Sequence, residues 1–486
     1  MNATSQTDPG TDADACAPHP RGLAPLFFTE MWERFSYYGM RALLVLYLVN
    51  ALGYDRAGAL QLYGTYTGLV YLTPILGGYL ADRWLGYRKA ILIGGFVMAL
   101  GHFAMAVPAL LHPALGLLIV GNGFFKPNIS TLLGTLYRTG DARRDGGFTI
   151  FYMGINLGAL LSPLVAGTLG ETIGWHWGFA SAGIGMLFAV AQFVTGQHKL
   201  GRAGLRAGQQ RMTARDWVDI VAVSALMIPL VYGVLGMWAF LSPYWQAIPF
   251  ALRVSVALVA VIVALAGQRR VCSSAEWRRV IAILIMGTFV IFFWMGFEQA
   301  GGTMNLFADR LTDRLLFGKE IPASYFQAIN PLLIVILGPV FSVLWARWDQ
   351  SRFALAAPAK MGLGMIVLGA GFVVLAVAQG RADALGRVGP QWLVCVYLLH
   401  TIGELCLSPI GLAMVTRVAP ARLAAVMMGV WFGATAIANY MAGALESVLA
   451  GSSIPLYWFL VGSSIGAGLL LLAITPLLRR LLHGAG

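Results

Sequence analysis

"TEMWERFSYYGMR", residues 29–41, sets two glutamates and two arginines inside one of the more apolar stretches of the chain. At about 100° per residue, Glu30, Glu33, Arg34 and Arg41 fall on one helical face with Tyr37 and Tyr38 beside them. Ions within a membrane-crossing helix must look at protein or water, because lipid cannot solvate them. The stretch therefore predicts a bundle of helices around a polar interior.

The rest of the chain agrees. With 58% hydrophobic and 11% charged residues in 486, it has too little polar surface to cover a soluble globule. Apolar runs long enough for a bilayer core of roughly 30 Å recur along it. Fourteen spans are expected, over 24–52, 60–82, 89–110, 114–137, 148–170, 177–197, 216–238, 246–267, 279–304, 325–346, 359–379, 390–415, 421–446 and 455–478. The runs are continuous rather than alternating, which suits helices and not barrel strands, so the fold class is all-α and multi-pass.

The net charge of +12 raises the question of a nucleic-acid partner. Most of the 33 basic residues gather on one side of the predicted topology: in "DRWLGYRK" (82–89), in "RTGDARRDGG" (138–147), between Lys199 and Arg215, around Cys272, and at Arg479 and Arg480. That is the positive-inside pattern; it orients both termini to the cytoplasm and leaves nothing for nucleic acid. The polar residues 1–20 read as a disordered cytoplasmic tail, since they lack the basic flank and cleavage site of a signal peptide. Four cysteines have neither metal spacing nor the density of a disulfide framework, and no metal site is expected.

An internal repeat divides the chain. "GNGFFKP" (121–127) matches "GELCLSP" (403–409), and "MGINLGA" (153–159) matches "MGVWFGA" (428–434), in order and at nearly equal spacing. Two homologous six-helix bundles follow, over 21–200 and 278–482, with an inserted transmembrane hairpin over 213–268 turning at "LSPYWQAIP".

Within the spans lie Glu30, Glu33, Arg34, Arg41, Lys126, Glu298 and Glu404. Some could be ion pairs that only join helices, as Glu30 with Arg34 at i, i+4. Lys126 and Glu404, near the midpoints of different halves, have no such local partner. The acids exceed the bases by one, an excess that a bound proton would remove. Bases on one wall and an acid with amides on the other suit a zwitterion, with Tyr71, Asn156 and Trp431 as polar or aromatic lining. His400 taken alone reads as a locally hydrogen-bonded histidine.

These residues carry a resemblance. "ExxERFxYYG" from Glu30 to Gly39, "GGYLADRWLGYRK" (77–89), "FYMGINLGAL" (151–160), "FEQAGG" (297–302), "QAINP" (327–331) and "GELCLSPIGL" (403–412) resemble, across almost the whole chain, the proton-dependent oligopeptide transporters of the major facilitator superfamily. The resemblance implies a proton-coupled symporter importing di- and tripeptides across the cytoplasmic membrane by alternating access, as a functional monomer, with protons as coupling ion and no cofactor. It assigns Glu30, Glu33, Arg34, Lys126 and Glu298 to proton coupling, the last two as a switchable salt bridge. Arg34, Arg41 and Lys126 would take the peptide carboxylate; Asn156, Asn330 and Glu404 the amino end; Tyr38, Tyr71 and Trp431 the side chains. Asp82, Arg83, Arg88 and Lys89 would form a gating loop. Alternatives are a carrier of nitrate or an amino acid, and a membrane sensor that binds peptide without moving it. An enzyme is not expected, since no H-E-x-x-H, G-x-S-x-G or paired intramembrane aspartates occur.

Overall fold

The computed structural model describes residues 18–247 and 272–483, apart from 139, 140, 142, 207, 208, 210, 317, 353, 421 and 422. Nearly all of the expected tail and the hairpin helix expected over 246–267 lie outside the described residues.

Every other expected span has its helix. In chain order they are α1 (Leu23–Asn50), α2 (Arg56–Leu80), α3 (Tyr87–Met105), α4 (Leu111–Thr135), α5 (Arg144–Ser162), α6 (Trp175–Gly196), α7 (Ala214–Ala247), α8 (Ser274–Phe297), α9 (Thr303–Leu311), α10 (Ile329–Asp349), α11 (Ala357–Leu385), α12 (Gln391–Val418), α13 (Ala424–Leu449) and α14 (Leu456–His483). The described strands are a two-residue pair, Leu315–Leu316 with Lys319–Glu320. Helices prevail because a segment in hydrocarbon must satisfy its own peptide groups. Proline is tolerated inside α2, α4, α10, α12 and α14, at Pro74, Pro127, Pro339, Pro409 and Pro476.

Two spans differ from expectation. The helix of the inserted hairpin runs on to Ala247, through the residues read as the start of its turn. The span expected over 279–304 is broken: α8 ends at Phe297, a 3-10 turn covers Glu298–Gly301, and Gly302 (φ −107°, ψ −104°) redirects the chain into α9. The turn falls where Gly301 and Gly302 lower the cost of leaving the helix.

The chain forms two compact units, the first of residues 1–44 and 73–228, the second of 45–72 and 229–486. In the first, α3 packs on α4 and α6; in the second, α11 packs on α12 and α14. The repeat frame marks the crossing points. A methyl group on Gly94 would stand 2.6 Å from the Gly121 carbonyl oxygen, and one on Gly364 would stand 2.6 Å from that of Gly403. The opening glycine of each matched motif is thus where two backbones touch. The second unit includes the end of α1 from Val45 and α2 as far as Leu72, so the α1–α2 turn belongs with the later helices.

Candidate functional site

The first unit gathers the charges of α1. Arg34 donates from Nε to Glu33 Oε2 at 2.5 Å and from Nη2 to Glu33 Oε1 at 2.6 Å, a fork that fits a carboxylate edge. Its Nε also lies 3.4 Å from Glu30 Oε1. Glu30 and Glu33 are fully buried and Arg34 nearly so. The guanidinium stands 5.0 Å from the centre of the Tyr37 ring and 6.0 Å from that of Tyr38, and Arg41 stands 5.7 Å from the latter. Lys126, on α4, is close enough for its charge to act on Glu30, Glu33 and Arg34. One turn before it, Asn122 donates from Nδ2 to Glu33 Oε1 at 3.4 Å.

Glycine and serine let α1 come close. A methyl on Gly158 of α5 would stand 3.0 Å from Arg34 Cβ, and Ser162 Oγ donates to the Phe35 carbonyl. The "FYMGINLGAL" stretch thereby seats the charge cluster. Asn156, 5% exposed, donates to the Tyr152 carbonyl one turn back at 2.9 Å.

The four gating-loop residues divide. Asp82 and Arg83 are exposed, with Arg83 Nη1 donating to the Tyr79 hydroxyl at 3.4 Å. Arg88 and Lys89 are buried within the unit. Arg88 donates to the carbonyls of Ala203 and Gly201, both at 2.7 Å, and Lys89 meets Asp216 at 2.6 Å and Asp219 at 3.0 Å at the start of α7. Lys89 thereby fastens the inserted hairpin's first helix to α3, and Arg88 holds the segment that leads into it.

The second unit contains Tyr71, Glu298, Asn330, Glu404 and Trp431. Asn330 of α10 donates from Nδ2 to Glu404 Oε2 of α12 at 2.9 Å, and lies 3.0 Å from Thr401 Oγ1. Trp431 is buried with its ring over Gly411, where any side chain would collide with it. His400, one turn before Glu404, has its ring centre 4.7 Å from that of Phe372 on α11 and 6.4 Å from that of Phe297 on α8. Glu298 is buried at the break after α8. Tyr71 is half-buried in α2. Among the described residues no group of three or more His, Cys, Asp or Glu could hold a metal ion.

Sequence reasoning passed over Asn122 and Gln299, each next to a named site residue or motif glycine. Both are neutral, and a search for intramembrane charge does not register them.

A multi-span helical protein with a repeated bundle, and with ions buried on several of its helices, is of the membrane-carrier class. Residues 88–457 match the model of the POT family, to which the chain belongs. It is 38% identical over 497 residues to the peptide transporter YePEPT of Yersinia enterocolitica, covering 96% of each chain. To a di-/tripeptide transporter of Lactococcus lactis it is 34% identical, covering 95% of this chain and 96% of that one. Among solved structures, the peptide transporter POT in complex with sulfate superposes with a TM-score of 0.80 at 37% identity, covering 96% of each chain. A variant of that transporter in complex with alafosfalin gives 0.79 at 36%, with the same coverage. The major facilitator fold expected from the motifs is therefore the fold of this chain.

Proposed function

We propose that the protein imports di- and tripeptides together with protons across the cytoplasmic membrane by alternating access, acting as a monomer with both termini in the cytoplasm. Peptide as substrate is supported by the relatives named peptide transporter and di-/tripeptide transporter and by the alafosfalin complex.

The observation that carries proton coupling is the unequal treatment of two neighbouring acids. Glu33 is matched by the Arg34 fork and by Asn122. Glu30, equally buried, has no hydrogen-bond donor on either oxygen among the described residues and only a 3.4 Å approach from Arg34. A buried carboxylate so poorly matched is the one that gains from a proton. Glu30 is thus the proton site of the cluster, Glu33 and Arg34 a fixed ion pair beside it, and Lys126 the cation that answers Glu30 once the proton leaves. Lys126 and Glu298 form the salt bridge that substrate and proton exchange break. The peptide carboxylate takes Arg34, Arg41 and Lys126; its ammonium takes Glu404, oriented by Asn330, with Asn156; Tyr38, Tyr71 and Trp431 line the side-chain pockets. One proton entering with a neutral zwitterion gains about 2.3 kcal/mol per 100 mV of membrane potential.

Arg56 and Glu446 join α2 to α13 at 2.8 Å, beside a seam where Gly64 and Gly443 bring two backbones together. With the termini inside, this seam faces outward, and it is the closure that must part to admit peptide.

The test is dialanine uptake into vesicles with an imposed proton gradient. Gradient-driven accumulation that Lys126→Ala abolishes supports the reading; binding without accumulation turns it to a sensor, and undiminished uptake in the variant overturns the site. A second reading, another small zwitterion as cargo, is favoured by a POT family transporter solved with 5-aminolevulinic acid, 31% identical with a TM-score of 0.78. Competition between that compound and dialanine decides it.

A further inference from the structure

Thr401 has no part in the roles above, yet its hydroxyl decides which atom Asn330 can offer to a ligand. The residue is fully buried on α12, three residues before Glu404 and so on nearly the same helical face. Its Oγ1 donates to the Tyr397 carbonyl one turn back at 2.7 Å. A hydroxyl has a single hydrogen, so Thr401 turns only lone pairs toward α10. Asn330 meets them with Nδ2 at 3.0 Å, and the same Nδ2 donates to Glu404 Oε2 at 2.9 Å.

These two bonds use both hydrogens of the Asn330 amide, and together they fix which way round it sits. A side-chain amide turned half a revolution about its last bond has nearly the same shape, so packing alone does not choose between its oxygen and its nitrogen. One bond to Glu404 leaves the group free to swing about that bond; a second bond, to Thr401, sets its plane. Oδ1 is then directed away from both acceptors. It takes no hydrogen bond among the described residues, and Asn330 is half-buried where Thr401 is sealed.

The backbone beneath Thr401 is held from another side. A methyl on Gly364 of α11 would stand 2.6 Å from the Gly403 carbonyl oxygen, and one on Gly371 would stand 2.5 Å from the His400 ring. Helix α11 thus clamps α12 at two residues that bracket Thr401, and the hydroxyl cannot retreat without parting the helices.

We infer that Thr401 is a positioning residue that makes Asn330 Oδ1 a second, fixed acceptor beside the Glu404 carboxylate, so that the site distinguishes ammonium groups by how many N–H they carry and not by charge alone. A carboxylate by itself attracts any cation. An acceptor pair is satisfied only by a donor with at least two N–H, as the primary ammonium of a peptide has. A tertiary ammonium brings the same charge with one N–H, and it leaves an acceptor unmatched. The inference rests on the reading that Glu404 takes the amino end of a peptide.

The test sets dialanine and N,N-dimethyl-dialanine in competition with radiolabelled dialanine bound to the full-length protein in detergent. At about pH 6, below the ordinary α-amino range of about 7.7–8.0, both compounds are cationic at that end. The unmodified protein should bind the dimethyl compound roughly tenfold or more weakly than dialanine, the size of one hydrogen bond to a charged group. Thr401→Val keeps the shape and removes the hydroxyl. It should weaken dialanine by a similar factor and leave the dimethyl compound within about twofold of its former affinity, so that the gap closes. Thr401→Ser, which returns a hydroxyl, should return the gap. Where the valine variant does not elute as monodisperse protein, Thr401→Ala against Thr401→Ser makes the same comparison.

Absence of a gap in the unmodified protein overturns the inference, as does a gap of unchanged size in Thr401→Val, which a packing role for Thr401 or a clash with the added methyl groups would give. Either result leaves the amino-end reading intact so long as the unmodified protein prefers dialanine to N-acetyl dialanine, which has no ammonium. Equal affinity for those two compounds overturns that reading itself, and the inference with it.

Discussion

The matched helices α4 and α12 begin from one frame and solve opposite problems. Gly121 and Gly403 hold equivalent crossing points. The next residue is Asn122 in one and Glu404 in the other, and the residue before proline is Lys126 in one and Ser408 in the other. In the first unit an amide on α4 serves acids that already share α1 with their arginine. In the second the acid is on α12, and an amide reaches it from α10. A duplicated scaffold therefore supports one cluster whose charges pair along a single helix, and one whose partners are drawn from two.

That contrast can be broken at several points. The largest effect is expected from Glu33→Gln, which leaves the Arg34 guanidinium buried without its forked partner. Loss of about 3–5 kcal/mol of stability follows for a broken buried pair, read as a lowered midpoint of thermal unfolding in detergent, together with loss of gradient-driven uptake. Unchanged stability would mean that the fork is dispensable and the two clusters are alike.

Asn330→Leu tests the cross-helix pair. A hydrogen bond to a carboxylate contributes about 1.5–3 kcal/mol, so dialanine affinity should fall roughly tenfold or more. N-acetyl dialanine, which has no ammonium for Glu404 to hold, should lose no further affinity. Equal loss for both compounds would show that Asn330 acts on packing and not on the amino end.

The smallest effect is expected in the connection between α4 and α5. Arg143 donates to Asp141 from Nη2 at 2.8 Å and from Nε at 3.0 Å, and this pairing lowers the Asp141 carboxyl from its ordinary value to about 2. Because the folded value is depressed, whatever the pair contributes is present above the ordinary carboxylate range and fades only as pH falls toward 2. The pair is half-buried, so Arg143→Gln should lower the midpoint of thermal unfolding at neutral pH by far less than Glu33→Gln does. A drop as large would mean that connecting-segment and helix-buried pairs in this protein are not as different as the α1 cluster suggests.

Legibility in the sequence followed the same division. The α1 cluster could be read because Glu30, Glu33 and Arg34 are neighbours in one helix, where spacing fixes which side chains meet. Lys89 could not. Its charge marked a cytoplasmic loop, but its partners, Asp216 and Asp219, lie well over a hundred residues away. The Asn330–Glu404 pair was foreseen only as two lining residues of common purpose, and Asn122, Gln299 and Thr401 were not singled out at all. Neutral polar groups carry little signal in a hydropathy profile, and their hydrogen bonds depend on which helices touch.

The sequence by itself determined that this chain is a helical membrane protein of two related halves, with ions kept deliberately inside its spans. Apolar length, periodicity and basic-residue asymmetry respond to the bilayer, which acts on each segment separately. The tertiary structure alone decided that the span of α8 breaks at Glu298, that Glu33 and not Glu30 takes the arginine fork, and that Lys89 binds the inserted hairpin while Arg88 holds the segment before it. These outcomes depend on backbones meeting at glycines such as Gly94 with Gly121 and Gly64 with Gly443, and contacts between distant segments have no trace in the local pattern of either.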